Sequence, residues 1–386
     1  MHEGERRKHP GGGSRLPPRA AGTQREMMDP VGELLGKPYR LVEYPDLGAV
    51  VHLDGVPPDV AGRLAALYGS FRCSVESLAA FSSLQPEGAC VLADPPHVLL
   101  FAMKGRTIVV LNQAFAISPA DASRALRALF RALPGARLIH VQLMFPLREL
   151  RAPMWNRGAI LHFSIALPDT VEAYDAMIGR STRKRLRGYE HRLRREHPDA
   201  AIEILTPGER SRELVDLYVT WKLARFHARG RTTYWENDAK FPEHFAELVL
   251  RLGEAHVLTI AAKPAAIVFT FPAGDTLCAL EAAFDPEYER LDVGLLTLRE
   301  VAREAVRRGA KSLDLTTGDR EYKERIGATL HMAWGVSVFR RQVDKLWAPR
   351  EGYGVARRWI RRYRDHYWRI RHAARHLVEW VLGHPI

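Results

Sequence analysis

The chain has 386 residues, of which 46% are hydrophobic and 26% are charged, and its formal net charge is +12. This length exceeds what a single hydrophobic core commonly supports, so two globular domains are predicted. The sequence contains no run of eighteen apolar residues and no apolar signal segment near its start, which argues against a membrane-spanning or secreted chain. We therefore expect a cytoplasmic protein of bacterial type, either free or peripheral on the inner face of the membrane.

Most of the positive charge lies near the ends of the chain. Residues 340–386 contain twelve Lys and Arg against four Asp and Glu, a net charge of +8. Residues 1–30 contain six against four, a net charge of +2, so only +2 of the total remains for residues 31–339. The strong net positive charge is therefore a property of the two ends of the chain and does not indicate the function of residues 31–339.

Composition and periodicity divide the chain into four segments. Residues 1–30 are rich in Gly, Pro and Arg and predict a disordered leader, with Met1 and the pair Met27-Met28 both open as the native start. Residues 31–167 and 168–341 each predict an α+β domain built on a mixed sheet. Residues 342–386 predict a basic amphipathic helix at the C-terminus.

Apolar runs and turn residues predict the elements of the first domain. Three strands, a helix capped by Ser118 and a fourth strand follow one another over 89–93, 98–103, 107–111, 122–133 and 138–143. The second domain is predicted to begin with helices and to continue with three antiparallel strands, a crossover helix and a parallel strand. Its elements cover 170–195, 201–205, 209–229, 241–252, 257–261, 265–271, 277–284, a helix ending at Gly309, 311–317 and 329–341.

The cysteines and histidines predict neither a disulfide framework nor a metal site. Cys73, Cys90 and Cys278 are odd in number, lack metal-ligand spacing and lie in apolar surroundings, so buried free thiols are expected. The sixteen histidines show no paired spacing of the HExxH type, and no metal is predicted.

Four short blocks in the second domain occur in a characteristic order. They are Phe-Asp-Pro-Glu-Tyr-Glu-Arg over 284–290, Gly-Leu-Leu over 294–296, Asp-Leu-Thr-Thr-Gly-Asp over 314–319, and Tyr322-Lys323. This order resembles the CelD-like branch of the GNAT acyltransferase superfamily, which is related to the FemAB aminoacyltransferases, over about 161–341. The resemblance implies tandem GNAT-like domains, the first of them degenerate. The chain departs from the family pattern at Asp292-Val293, where Ser-Pro is usual.

The resemblance also implies a site for an acyl carrier at the start of a helix. Backbone N–H groups at a helix N-terminus bind a pyrophosphate, and a glycine permits its close approach. The residues implied for this contact are Leu291, Val293, Gly294, Leu295 and Leu296. Arg290 would add a charged contact, and Lys323 would bind an anionic group of the carrier or of the acceptor.

Three residues are candidates for proton transfer. Glu281 shares a predicted strand face with the small Ala279 and Ala283, and burial would raise its pKa into the range of a general base. Asp314 lies within an apolar strand and is the second candidate base, with Tyr322 as the acid that protonates the leaving thiolate. Each has a structural alternative. For Glu281 it is an exposed or ion-paired side chain, for Asp314 a buried polar contact with a neighbouring group, and for Tyr322 a packed ring.

Two further regions could bind an acceptor. Trp221 and Arg225 are expected to line its pocket, although a packed tryptophan explains the first equally well. The basic run over 181–195 fits either a solvated helix face or the binding of a sugar phosphate, a lipid-linked precursor or tRNA.

The C-terminal segment shows a heptad seam with arginines outside it. The seam consists of Ile360, Tyr363, Tyr367, Ile370, Ala374, Leu377 and Val381. Four interpretations remain open for residues 355–382: packing on the chain's own domain, a homodimer contact, an anionic membrane surface, and nucleic acid.

The leading hypothesis is an N-acyltransferase that uses acetyl-CoA or another acyl-CoA. Its acceptor would be an amine-bearing small molecule or glycan precursor in envelope or exopolysaccharide metabolism. A FemAB-like transferase that uses aminoacyl-tRNA is one alternative. A non-catalytic, membrane-docked partner in polysaccharide synthesis is the other, and Asp292-Val293 favours it. The acyl chain, the acceptor, the pathway and the oligomeric state cannot be read from the sequence.

Overall fold

The computed structural model describes residues 37–347, apart from 207, 209, 229, 231, 233–235, 237–240 and 319. The predicted leader and the heptad seam with its arginines lie outside these residues, and so does Asp319. Among the helices that are described, none combines the length and the apolarity needed to cross a membrane.

The first half of the described chain contains six strands that precede a long central strand. They are β1 (Arg40–Tyr44), β2 (Ala49–Leu53), β3 (Gly88–Leu92), β4 (His97–Lys104), β5 (Thr107–Val110) and β6 (Leu138–Leu143). Its helices are α1 (Pro58–Gly62), α2 (Leu64–Tyr68), α3 (Val75–Phe81) and α4 (Pro119–Ala132). The cap predicted for α4 is confirmed, because the Ser118 side chain accepts a hydrogen bond from the N–H of Asp121.

The second half begins with the long strand and ends with a strand of similar length. Its strands are β7 (Met154–Ala166), β8 (Ala201–Leu205), β9 (Glu254–Ile260), β10 (Lys263–Ala273), β11 (Thr276–Phe284), β12 (Ser312–Thr317) and β13 (Thr329–Phe339). Its helices are α5 (Val171–Met177), α6 (Arg180–Glu196), α7 (Arg210–Ala228), α8 (Phe241–Leu252), α9 (Val293–Arg307) and α10 (Arg320–Arg325).

These strands form one 13-stranded mixed sheet in the described part of the chain. Its order is β1-β2-β3-β4-β5-β6-β13-β7-β12-β11-β10-β9-β8. Each half repeats one arrangement: four or five antiparallel strands, then a helix, then a strand parallel to the last of them. In the first half α4 connects β5 to its parallel neighbour β6, and in the second half α9 connects β11 to β12. The predicted α+β class with mixed sheets is confirmed, and this internal repeat fits the tandem arrangement.

The two halves are joined by β13, which pairs with a strand of each half. β13, from the C-terminal end, lies between β6 and β7 and is antiparallel to both. β7 in turn pairs with β12 on its other side. Because β13 makes backbone hydrogen bonds to strands of both halves, the two halves share one continuous sheet. The residue at which the domains divide remains a prediction.

The helix predicted over 170–195 is two helices in the structure. The backbone at Ile178 and Gly179 is extended, with ψ angles of 129° and 141°, and this interrupts the helical path. The first helix has its own cap, since the Thr170 side chain accepts from the N–H of Ala173. The break lets Ile178 enter the core, where it is 1% exposed.

Apolar side chains cover both faces of the second half of the sheet. One cluster packs α9 against the strands, and another packs α7 and α8 against the opposite face. A separate cluster holds α4 on the first half. The three cysteines are free and buried, as predicted, and burial raises the pKa of Cys73 and that of Cys90 to about 12.

Candidate functional site

A cleft opens in the sheet where the parallel strands β11 and β12 stop pairing. Their register runs only from Thr276 opposite Ser312 to Cys278 opposite Asp314. The cleft has a volume of about 1080 Å³ and is lined by the rest of both strands, residues 279–284 and 315–318. Because the opening lies within the sheet, groups from both of its faces reach it.

On one face, the N-terminus of α9 borders the cleft through Asp292, Gly294 and Leu295. The carbonyl oxygen of Asp292 accepts from the N–H groups of Leu295 and Leu296 at 3.0 and 3.1 Å. The N–H groups of Val293 and Gly294 belong to the first turn, where a helix supplies no acceptor of its own. A bound anion can therefore use them.

Gly294 occupies a position that leaves no room for a side chain. A Cβ atom built there would lie 2.7 Å from Cδ1 of Phe284, which also lines the cleft. The glycine thus keeps the phenylalanine ring and the helix start in contact, and any larger residue would push the ring into the cleft.

The other residues predicted to bind a carrier are either buried in the core or exposed at the surface. Leu291, Val293 and Leu296 are buried in the α9 cluster, so only their backbones can serve the site. Arg290 does not line the cleft in the described part of the chain. Its Nη1 lies 2.6 Å from Oε2 of Glu196, and 62% of its side chain is exposed. The predicted contact of Arg290 with the carrier does not fit this placement, because Glu196 holds its guanidinium at the surface.

Asp292 stands where the resembled family usually has Ser-Pro, and its backbone is left-handed, with φ of 52°. Aspartate tolerates this conformation better than most residues. Burial raises the pKa of its carboxyl, while the charges of Arg185 and Arg325 oppose the rise. These two arginines offset negative charge beside the helix N-terminus.

Glu281 lies at the floor of the cleft on the face opposite α9. Its Oε2 accepts from the Tyr218 hydroxyl at 2.6 Å and from the Lys222 ammonium at 2.8 Å. Nη2 of Arg72 lies 3.8 Å from Oε1. Burial acts to raise the pKa of Glu281, but Lys222, Arg72 and Tyr218 outweigh it and hold that pKa below its ordinary value. The expected rise is therefore wrong, because the cations that surround this carboxylate were not foreseen.

A β-bulge also changes the face on which Glu281 lies. Phe269 of β10 pairs with Glu281, whereas Thr270 pairs with Ala279, so Leu280 is the additional residue. Ala279 packs into the α9 cluster and Ala283 into the cluster of α7 and α8. Glu281 thus does not share the face of Ala279, contrary to the prediction, and the bulge turns its side chain towards α7.

The side chain of Asp314, a residue of β12, is buried and does not line the cleft. Its Oδ1 accepts from the Thr316 N–H at 2.7 Å and lies 3.0 Å from Nε2 of His162. Its Oδ2 accepts from the Ser70 hydroxyl at 2.9 Å and from the Cys278 thiol at 3.7 Å. A catalytic role in contact with substrate does not fit this enclosure, whereas the structural alternative does.

The Asp314 network shapes the edge of the cleft through Thr316. Thr316 has a φ of 55°, a conformation that β-branched residues rarely adopt. The bond from its N–H to Asp314 stabilises this conformation, which is needed where β12 bends away from β11. Asp314 therefore acts on the cleft by holding its backbone.

Lys323 secures the same edge from the side of α10. Its buried ammonium donates to the carbonyl oxygens of Leu315, Thr316 and Thr317 at 2.6, 3.3 and 2.9 Å. Burial lowers its pKa to about 8. Because three carbonyl groups use its hydrogen-bonding capacity, the predicted role of Lys323 in binding a carrier or acceptor does not fit. The neighbouring Tyr322 lines the cleft, as its candidate role as acid requires.

The family comparison agrees with this arrangement. Residues 180–324 match the model of the acetyltransferase (GNAT) domain. This segment is a GNAT acetyltransferase domain. It includes α9, the parallel pair β11 and β12, and Tyr322. The match identifies this segment as an acyltransferase domain in general and specifies neither donor nor acceptor.

Three solved structures are similar to this chain at low sequence identity. A conserved protein of unknown function from Bacteroides thetaiotaomicron is 14% identical, with a TM-score of 0.50, over 79% of this chain and 100% of that one. The C-terminal domain of a putative lysylphosphatidylglycerol synthetase from Agrobacterium fabrum is 15% identical, with a TM-score of 0.45, over 66% and 84%. FemX is 11% identical, with a TM-score of 0.45, over 68% and 87%. No curated protein matches the chain.

Of the two residues predicted to bind the acceptor, one lines the cleft of the GNAT domain. Arg225 does so, with its guanidinium 5.5 Å from the centre of the Phe284 ring. Trp221 is 8% exposed and packs in the core between α7 and α8, which is the structural alternative. The basic run over 181–195 forms α6, in which only Leu186 and Leu193 are buried, so most of its arginines face solvent.

Two cleft residues come from the first half of the chain and were not predicted. Arg72 and Phe81 of the first half line the same cleft, and the Arg72 guanidinium lies 5.8 Å from the centre of the Phe81 ring. No spacing pattern connects them with Glu281, about 200 residues further along the chain. Only the sheet topology brings the two halves together here.

Proposed function

We propose that the chain is an N-acyltransferase that moves an acyl group from acetyl-CoA or another acyl-CoA to an amine. The observation that carries this proposal is the cleft between β11 and β12, with the first turn of α9 and Gly294 at its edge. Such a turn offers N–H groups to the pyrophosphate of a carrier. The gap between the strands would then let the thioester reach the opposite face of the sheet.

In this proposal the acceptor amine enters from the face of α7. Its neutral nitrogen attacks the thioester carbonyl, the new C–N bond forms, and the C–S bond breaks. The amine proton passes to Glu281, directly or through water, and Tyr322 protonates the departing thiolate. The low pKa of Glu281 makes it a weak base. The rate should therefore rise with pH until the amine itself is neutral.

The acceptor is proposed to be a small amine or a glycan precursor used in envelope or exopolysaccharide metabolism, which the CelD-like resemblance supports. The reaction would take place in the cytoplasm. A membrane or dimer contact of residues 355–382 remains a prediction, because these residues lie outside those described.

A non-catalytic partner in polysaccharide synthesis is the second candidate. The carboxyl of Asp292 beside the helix N-terminus favours it, because a negative charge there repels a pyrophosphate. Arg185 and Arg325 weaken that repulsion. Binding of the carrier therefore tests the first function, and turnover then separates it from the second.

The test is a thermal-shift titration of the full chain with acetyl-CoA and longer acyl-CoAs. At a ligand concentration 100 times Kd, the stabilisation should be about 2.7 kcal/mol. Gly294→Ala should weaken binding, since its Cβ meets the Phe284 ring, and Gly294→Trp should abolish it. Gly188→Ala is the matched control because no atom lies within 4 Å of the added Cβ.

Release of free CoA in the presence of an amine panel then tests the chemistry. Binding without turnover for any amine would favour the non-catalytic partner. If no thioester stabilises the protein, the acyl-CoA proposal fails, and charged tRNA becomes the next donor to test.

A further inference from the structure

The first half of the chain contributes a cation to the cleft of the GNAT domain. We infer that Arg72 binds an anionic group, carboxylate or phosphate, carried by the amine acceptor. This inference rests on the proposed function and names the chemical class of its second substrate. Arg72 would thus be a specificity residue supplied by the half that has no matched acetyltransferase domain of its own.

The turn that carries Arg72 is fixed to the second half of the chain by the two residues that precede Arg72. Phe71 stacks on Phe271 of β10, with the ring centres 4.4 Å apart, and its N–H donates to Sγ of Cys278 at 3.1 Å. The preceding residue, Ser70, donates to the Asp314 carboxylate. Because these anchors are buried, Arg72 is held at the cleft in a defined position.

The guanidinium of Arg72 has hydrogen-bonding capacity that the described residues do not use. Its Nε is buried and has no hydrogen-bond partner. Its Nη2 lies 3.8 Å from Oε1 of Glu281, which is longer than a hydrogen bond, and one third of the side chain is exposed. A buried N–H without a partner is costly, and an oxygen of a bound ligand would satisfy it.

The charges on this face of the cleft also favour an anion. Arg72, Lys222 and Arg225 line the cleft together with the carboxylate of Glu281. Glu281 is bound most closely by Lys222 and Tyr218, at 2.8 and 2.6 Å. Arg72 is therefore held less closely by Glu281 than Lys222 is, and an acceptor that brings one negative charge would complement its guanidinium.

The two charges at this site select a particular kind of acceptor. A guanidinium presents a planar fork of donors that matches a carboxylate or a phosphate. Glu281 attracts the ammonium form of an amine before its proton is lost. An acceptor with an amine and an anion a few bonds apart would contact both groups at once. An amino acid and a phosphorylated amino sugar both have this form.

Matched ligand pairs test the inference on the full chain. Isothermal titration, with and without CoA, compares glucosamine 6-phosphate with glucosamine and glycine with glycinamide. We expect the anionic member of at least one pair to bind at least 10-fold more tightly, and the pair that shows the difference identifies phosphate or carboxylate. Arg72→Gln should remove the difference, since loss of a charge-assisted bond weakens binding about 10- to 100-fold. Arg72→Lys should retain part of it.

Controls separate this role from a structural one. Arg106→Gln changes an exposed arginine of the first half and should leave all affinities unchanged. Affinity for CoA and for the neutral amines should also be unchanged in Arg72→Gln, which a folding defect would not allow. Equal binding within both pairs, no binding of either anion, or an intact preference in Arg72→Gln would overturn the inference. Failure of CoA binding in the unaltered protein would overturn the proposed function instead.

Discussion

Asp314→Asn tests whether the buried Asp314 network holds the two halves and the cleft edge together. The carboxylate accepts charge-assisted bonds from Thr316, His162 and Ser70 at 2.7, 3.0 and 2.9 Å. Asparagine keeps the shape and removes the charge. A bond to a charged group contributes about 1 kcal/mol more than a neutral one, so three bonds lose about 3 kcal/mol, and burying a neutral group offsets part of that. We expect a net loss of about 2–3 kcal/mol in the free energy of unfolding.

The pH dependence of this loss follows from the pKa of Asp314. Burial acts to raise that pKa, but His162, the Thr316 N–H and the Ser70 hydroxyl lower it below its ordinary value. A carboxyl with a lowered folded-state pKa stabilises the protein fully above its unfolded pKa, about 3.9, and loses this effect as the pH falls further. The difference between the two proteins should therefore shrink as the pH falls below about 4.

Urea denaturation at pH 3, 5 and 7, followed by far-ultraviolet circular dichroism, measures the loss. Asp275→Asn is the control, because Asp275 is exposed in the turn before β11 and should change stability by less than about 0.5 kcal/mol. Ser70→Ala in both backgrounds should show a coupling of about 1 kcal/mol. A loss below 0.5 kcal/mol for Asp314→Asn at pH 7, or a loss at pH 3 that is as large as the loss at pH 5, would refute the reasoning.

Three further substitutions test other parts of the structure. Gly188→Ala should raise the free energy of unfolding by about 1 kcal/mol, because the glycine lies exposed within α6, and a lower urea midpoint would contradict this. Glu281→Gln should lower the free energy of unfolding by about 2 kcal/mol, because it removes the carboxylate that binds Lys222. The loss should be equal at pH 6 and pH 8, because the pKa of Glu281 is lowered. A loss at only one of these pH values would count against this prediction. Tyr322→Phe should reduce kcat about 100-fold and leave the KM for the acyl-CoA unchanged, as measured by release of CoA. Tyr39→Phe, at an exposed position, is the control and should change neither constant.

Local patterns predicted the part of the fold that surrounds the carrier turn. The apolar spacing after Asp292 and the stop at Gly309 predicted α9, which ends at Arg307 with Gly309 in a left-handed conformation. These features were readable because helix periodicity and a terminal glycine act within a few residues. The carrier turn itself was recognised from the resemblance.

The surroundings of the side chains could not be predicted in the same way. The bulge at Leu280 changes the face of Glu281, and no composition signal marks a bulge. Lys323 was expected to bind an anionic group of the carrier or acceptor, yet its ammonium donates to three carbonyl groups of the chain. Arg72 reaches the cleft from a distant part of the sequence. All three depend on tertiary contacts, which a single sequence does not encode in its local pattern.

The position of β13 has a consequence for synthesis of the chain. Trp334 of β13 pairs with Leu143 of β6, so the first half emerges from the ribosome long before the strand that covers its edge. Until residues 329–339 are made, the backbone donors and acceptors of β6 face solvent as an open sheet edge, a site at which nascent chains associate wrongly. Completion of the first half must therefore wait until β13 has been synthesised, and early termination before β13 would damage both halves together.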